Sequence, residues 1–348
     1  MSHELHVSAT GQASMAFVGT TPWHKLGQRV TEGAPLETWT KEAGFDWQAI
    51  AAPVEYRDST GAYHTADSKK VLYRSDTGAA LSVMGDGYKI VQPAEVLEFF
   101  RDLTESGNWH IHTAGVLHGG RKLWAMARNS TEAEVMPGDR VRGNLLLATS
   151  LDGSMATSAG MTTIRVVCAN TLGAAMSTDG HGFSRTSHKS VFDSQSVKDS
   201  ILGARESFAE FMVRARKLAE SPVHVDQARE ILRGLIGQPA RIAQPETVTV
   251  SSGSSEFSRL MYGSNRVDAK LREHRNVTRI LELFGGAARG SDHPSSRGTA
   301  WGLLNSVTEF VDHEAGRSAD TRLDSAWFGR GAELKQNAMT TIAQAVNA

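Results

Sequence analysis

Five positive side chains, Arg140, Arg142, Arg165, Arg185 and Lys189, fall between residues 140 and 190 against two negative ones, Asp152 and Asp179. That stretch carries +3 in a chain whose formal charge is −1. Its distal part, Gly180-His-Gly-Phe-Ser-Arg-Thr-Ser-His-Lys189, adds hydroxyls, two histidines and the aromatic Phe183. A nucleic-acid backbone is held by such groups: guanidinium and ammonium meet the phosphate charge, hydroxyls hydrogen-bond to it, and an aromatic ring stacks on a base. The pattern predicts a DNA-binding groove built from Arg140, Arg142, Arg165, Arg185, His188 and Lys189. The competing reading is a solvated loop between sheet and helix. Arg165, next to Val166 and Val167, is either the buried partner of an acid or the head of the groove. Asp152 and Asp179, the nearest acids in sequence, sit in turn-like segments, which favours the groove.

Other residues fall short of a catalytic set. His110 and His112 alternate on an extended segment and share a face, yet a metal site needs three or four ligands and no partner stands at a recognisable spacing. Asp312, His313 and Glu314 are consecutive, so on a helix end they point in three directions. Gly85-Asp-Gly87 and Gly285-Gly286 lack the Gly-Lys-Ser/Thr of a nucleotide loop. Cys168, between Val167 and Ala169, reads as a buried, inert thiol. No Gly-x-Ser-x-Gly elbow occurs. The expectation is a non-enzymatic protein with no cofactor and no metal.

The elements that would carry these residues are legible in outline. Pro53–Arg57 and Lys70–Arg74, each followed by a turn signal, predict antiparallel hairpins. Gln92-Pro93 opens a helix in which Val96, Leu97, Phe100 and Leu103 recur at helical spacing up to Gly107. Residues 108–112, 122–127, 142–149 and 155–159 then read as strands, with Asp152-Gly153 as a hairpin turn. A helix over Val166–Met176 is expected to pack on them. From Ser194 the texture is helical: one long helix to Ser221-Pro222, a second over Val225–Ile236, a third over Arg266–Phe284, one capped by Thr299, and a last over Ala332–Val346.

The predicted fold class is α+β, with antiparallel sheets, a central β-β-β-α element and a mostly helical C-terminal third. Four segments are expected: residues 1–190 as the α+β core, 191–240 as a helical segment, 241–298 as linker and helix, and 299–348 as a C-terminal helical segment. The linker is assigned to 243–255 by its Pro, Thr, Ser and Gly content.

The 348 residues suffice for a proper core. With one cysteine, no intrachain disulfide forms, and a reducing cytoplasm is the expected compartment. No basic leader precedes an apolar run and no run of about 18 apolar residues occurs, so neither export nor a membrane is expected. The near-neutral total excludes a strongly basic nucleic-acid binder and leaves a local basic face. Open strand edges and seven tryptophans predict self-association.

Three blocks, Thr21-Pro-Trp-His-Lys-Leu-Gly27, Thr163-Ile-Arg-Val-Val-Cys-Ala-Asn-Thr-Leu172 and Gly298-Thr-Ala-Trp-Gly-Leu-Leu-Asn-Ser-Val-Thr-Glu-Phe-Val-Asp-His313, give the chain a resemblance to the phage/plasmid-like protein family. That family is a domain of unknown function, and the likeness runs from about Trp23 to about Lys335. It implies a mobile-element gene and, for a phage, the host cytoplasm. The order of the central elements also resembles the core of Redβ/RecT-type single-strand annealing recombinases, which are usually more basic. This second resemblance implies binding and annealing of single-stranded DNA by protomers assembled as a ring or helix, without nucleotide hydrolysis. A host or phage replication protein is an implied partner. The rival class is an accessory or host-takeover factor working through protein contacts.

Overall fold

The computed structural model describes residues 5–7, 11–19, 26–105, 109–165, 170–172, 183–202, 204–236, 274–316 and 322–347, and only the backbone of residues 129–131, 165, 170–172, 183, 198, 200–202, 204–207 and 323–324. Four consecutive strands form its centre: β6 (Trp109–Leu117), β7 (Lys122–Glu134), β8 (Arg140–Ser150) and β9 (Thr157–Arg165). They pair antiparallel in chain order. Because side chains alternate across a strand, Leu123, Ala125, Val141, Leu145, Leu147, Ala159 and Met161 enter the main core on one face. Trp124, Met126, Leu146 and Ala148 enter a smaller core on the other, with Leu5, Met15 and Leu117. Such a sheet, apolar on both faces, must be covered twice.

Beyond β6 the sheet continues through β1 (Met15–Phe17) to β2 (Gln28–Arg29). Beyond β9 it continues to β10 (Asn170–Leu172) and β11 (Phe183–Thr186), both of which pair with β9. The strand at 170–172 corrects the helix expected over 166–176. Thr171 is β-branched and better suited to a strand, and β9 offers it an unfilled edge. The rest of that stretch lies outside the described residues, as do the linker at 243–255 and residues 266–273 of the expected third helix. The helical layer after the meander begins instead at Ser194.

A second, three-stranded sheet consists of β3 (Ala49–Arg57), β4 (Tyr63–Arg74) and β5 (Ala80–Gly85). It is tied to the end of β8 by Ser82 Oγ donating to Leu151 O at 2.6 Å and Tyr88 OH donating to Ser150 O at 2.6 Å. Residues Leu36–Glu42 form α1. The single helix expected from Gln92 is two: α2 (Pro93–Glu98), opened by a capping box of Gln92 and Glu95, and α3 (Arg101–Glu105). Phe99 and Phe100, at the junction, are both buried in the core, edge to face at 5.0 Å.

In the C-terminal part, α4 (Ser194–Leu202), α5 (Ala204–Glu220) and α6 (Val225–Ile236) are followed by α7 (Arg275–Glu282), α8 (Ala300–Glu309), α9 (Arg322–Phe328) and α10 (Arg330–Ala345). Every residue of α8 is buried. Thr299 caps it, its hydroxyl accepting from Gly302 N at 3.0 Å, and its first turn is pinned to the end of α5 by Ala300 N donating to Ser221 O at 2.9 Å. The tryptophans pack inward: Trp39, Trp47, Trp124 and Trp301 are buried, and Trp109 and Trp327 lie against the cores. Self-association therefore draws no support from Trp side chains among the described residues.

Two glycines test this packing. A Cβ on Gly302 would lie 1.8 Å from the Ser296 carbonyl oxygen, whereas one on Gly234, inside α6, would meet nothing within 4 Å. Gly302→Ala is expected to destabilise by about 3 kcal/mol or more. Gly234→Ala is expected to stabilise by up to about 1 kcal/mol. Urea unfolding of both variants checks the pair.

Candidate nucleic-acid interface

Strand register decides which polar side chains meet. His110 stands opposite Arg128, Arg128 opposite Asn144, and Asn144 opposite Thr162, so one row crosses β6, β7, β8 and β9 on the face that also carries Met126 and Leu146. The next row outward runs Glu132, Arg142, Ile164, Thr171. This outer face is thus apolar over half its length and polar over the other half. Arg128 and Arg142 are diagonal neighbours on it, about 7–8 Å apart at the backbone.

Carboxylates hold the guanidiniums in place. Arg128 donates to Glu32 at 3.0 Å; this bond, with the charge of Arg128 and of the two histidines, lowers the Glu32 pKa. Arg140, at 3.4 Å, and Arg142 both reach Glu132, so one carboxylate serves two guanidiniums. His112 sits at a bulge between Ile111 and Thr113. Burial, with Arg128 and Arg142 nearby, pushes its pKa down to about 4, so the ring is neutral at pH 7. His112 Nδ1 and Thr162 Oγ1 are buried polar atoms with no hydrogen-bond partner among the described residues. Such atoms cost about 1–3 kcal/mol each, and Trp124 Nε1, in the apolar half of the same face, is a third.

The six residues expected to form one groove divide into two groups. Arg140 and Arg142 lie at the start of β8, and the Arg165 backbone pairs with Val141 between them. Arg185 pairs with Ser158, at the far end of β9. Seven residues of strand separate Ser158 from Arg165, about 23 Å. His188 is not a groove residue: it is buried, stacks on Tyr88 at 4.5 Å, and turns both ring nitrogens to carbonyl oxygens, of Lys89 and Met155, each at 3.1 Å. At that end Arg185 and Lys189 are exposed. The six residues therefore do not form a single groove: Arg140 and Arg142 lie with Arg128 and His110 at one end of the face, where Asn144 shares the row of Arg128 and His110 but is buried, and Arg185 and Lys189 lie at the other. Alternation on each strand was readable, but only register shows that His110, Arg128, Asn144 and Thr162 share a row.

Other polar groups serve the fold. Asp312 pairs with Lys335 at 2.7 Å, Glu314 with Arg279 at 2.6 Å, and His313 lies 3.5 Å from Arg289, three directions from three successive residues. Asp139, Ser295 and His293 bring together the residue types of a catalytic triad, with His293 Nδ1 at 2.9 Å from Ser295 Oγ. Yet Ser295 Oγ donates to Asp139 Oδ2 at 2.5 Å rather than to the imidazole, and neither Asp139 nor Ser295 has exposed surface. Among the described residues no group of three or more His, Cys, Asp or Glu side chains could hold a metal ion. Cys168 and His181 lie outside them. No described helix is long and apolar enough to cross a membrane.

A family model described as Domain of unknown function (DUF932) matches residues 80–327, more than half of the chain, and the chain belongs to that family. No curated protein and no solved structure matches it. The match takes in β6 to β9, and so both polar rows, as well as α8.

The depressed His112 pKa sets a pH dependence. The unfolded chain takes up this proton near its ordinary value of 6.5 and the folded one only near 4, so stability due to the neutral ring is fully present above about 6.5 and declines as pH falls toward 4. His112→Phe is expected to flatten the loss between those values. Urea melts across that range test it, and a wild-type minus variant gap independent of pH would show that His112 does not titrate as described.

Proposed function

We propose that this member of a family without an assigned activity binds single-stranded DNA along the polar half of the outer sheet face, as a non-catalytic accessory in recombination or replication of a mobile element. The observation that carries the reading is the convergence of Arg128, Arg140 and Arg142, with His110, within three successive residue rows of one face. Glu132 serves Arg140 and Arg142 together, so one guanidinium can turn to a phosphate while the other keeps the carboxylate. A guanidinium that exchanges a carboxylate for a phosphate keeps its charge-assisted hydrogen bonds, so binding costs little reorganisation. Backbone contacts of this kind leave base edges free to pair with a second strand, and annealing then needs no nucleotide hydrolysis.

Fluorescence anisotropy of a labelled oligothymidylate at low salt is the test. Arg128→Ala with Arg142→Ala should weaken binding strongly and lower the salt slope by about 2, because each lost phosphate contact removes about one released counterion. Arg185→Ala with Lys189→Ala, at the far end of β9, should change it less. No binding at about 50 mM salt, where phosphate-dominated binding is strong, sinks the proposal. A role through protein contacts would then lead.

A further inference from the structure

We propose that β3 forms a two-fold contact with a second copy of this chain, the two β3 strands pairing antiparallel about Tyr56. This inference does not rest on the DNA-binding reading.

β3 is the outer strand of the three-stranded sheet. Close to the body its edge is closed: the Gln92 side-chain amide accepts from Ala49 N at 2.9 Å and donates to Ala49 O at 3.0 Å. Pro53 follows without a donor. Farther out β3 and β4 project as a ribbon, with Tyr56 55% and Tyr63 72% exposed. Asp58 N donates to Ala62 O at 3.0 Å within the hairpin. By alternation Tyr56 also faces β4, and Glu55 and Arg57 turn their backbone N–H and C=O outward. Among the described residues these outward groups have no partner. An open edge of this kind is a template for another strand.

The sequence at that edge matches itself. With Tyr56 on the two-fold axis, Glu55 faces Arg57 of the second copy and Arg57 faces its Glu55, giving two opposite-charge pairs and four ladder hydrogen bonds. Tyr56 faces Tyr56 at the close, non-hydrogen-bonded position, about 4.5 Å between Cα atoms. Because Tyr56 already stacks on His64 at 5.4 Å, the pairing lines up four rings. A two-fold centred on Glu55 or on Arg57 would instead set like charges face to face, so charge selects this register. The ribbon from Pro53 to Lys70 carries three positive residues, Arg57, Lys69 and Lys70, against Glu55, Asp58 and Asp67. That balance suits its own copy better than a polyanion. The contact is two-fold and uses the same strand of both copies, so it closes on itself as a dimer.

Sedimentation velocity on the full chain tests the pairing. The wild type should dimerise at tens of micromolar, as fits a small interface. Arg57→Glu and Glu55→Arg should each raise the dimer Kd about tenfold, since two like-charge pairs replace two opposite ones. The double variant Glu55→Arg/Arg57→Glu should recover association. In a Cys168→Ser background, Tyr56→Cys should form an intermolecular disulfide on oxidation and Glu55→Cys should not. A wild type that stays monomeric at about 100 µM, where even a weak specific contact associates, overturns the proposal. Association indifferent to the single charge changes, or a double variant that fails to recover, does so equally.

Discussion

The architecture depends on satisfying the polar groups of a helix that has no wet face. Every residue of α8 is buried, including Asn305, Ser306, Thr308 and Glu309. Burying a polar group without a partner is costly, and burying a charge more so. The side chains solve this inside the helix: Asn305 Nδ2 donates to Trp301 O, Ser306 Oγ to Gly302 O and Thr308 Oγ1 to Leu304 O, at 2.8, 2.8 and 2.9 Å. At the N-terminal end Asp139, with no exposed surface, accepts from Ser295 Oγ and from Trp301 Nε1 at 3.0 Å. That joint fastens the turn between β7 and β8 to the helix. Both polar rows of the outer face cross β7 and β8, the strands leading into and out of this turn.

The C-terminal end of α8 poses the opposite difficulty, since acids there oppose the helix dipole. Glu309 accepts from the Arg289 backbone N at 3.0 Å, and Asp312 takes the buried Lys335 of α10. Breaking either would leave a buried charge alone, so these pairs hold α10 and the 288–291 turn to one arrangement around α8 more than they add net stability. The close approach of Gly302 to Ser296 has the same character: backbone meets backbone, and nothing there yields.

With the inner face committed to α8 and its neighbours, chemistry is left to surfaces the core does not use. The outer face is closed over its apolar half by Leu5, Met15 and Leu117, with Trp327 and Phe328 against it, and is polar over the other. The β3–β4 ribbon is the second such surface. One presents a cluster of arginines that share their acids, the other an open edge with exposed tyrosines. Their different charge patterns suit different kinds of partner.

Local sequence determined most of the elements. The Asp152-Gly153 turn, the Gln92-Pro93 helix start, the Thr299 cap, the stop at Ser221-Pro222 and the span Val225–Ile236 all depend on short-range chemistry, as does the α+β class. It also determined that Asp312, His313 and Glu314 act separately. What it did not determine depends on partners far along the chain. Asn170–Leu172 is a strand because β9 supplies an edge; the break between α2 and α3 falls at Phe99 and Phe100, both held in the core. Arg185 and Lys189 are near Arg142 in a charge count yet belong to the other end of β9, and His188 is consumed by Tyr88, Lys89 and Met155. The row His110, Arg128, Asn144, Thr162 comes from four strands with no common spacing. Residue type and alternation were written in the sequence, but register is set by turns and core packing across the whole sheet, and only the tertiary structure decided which charges meet.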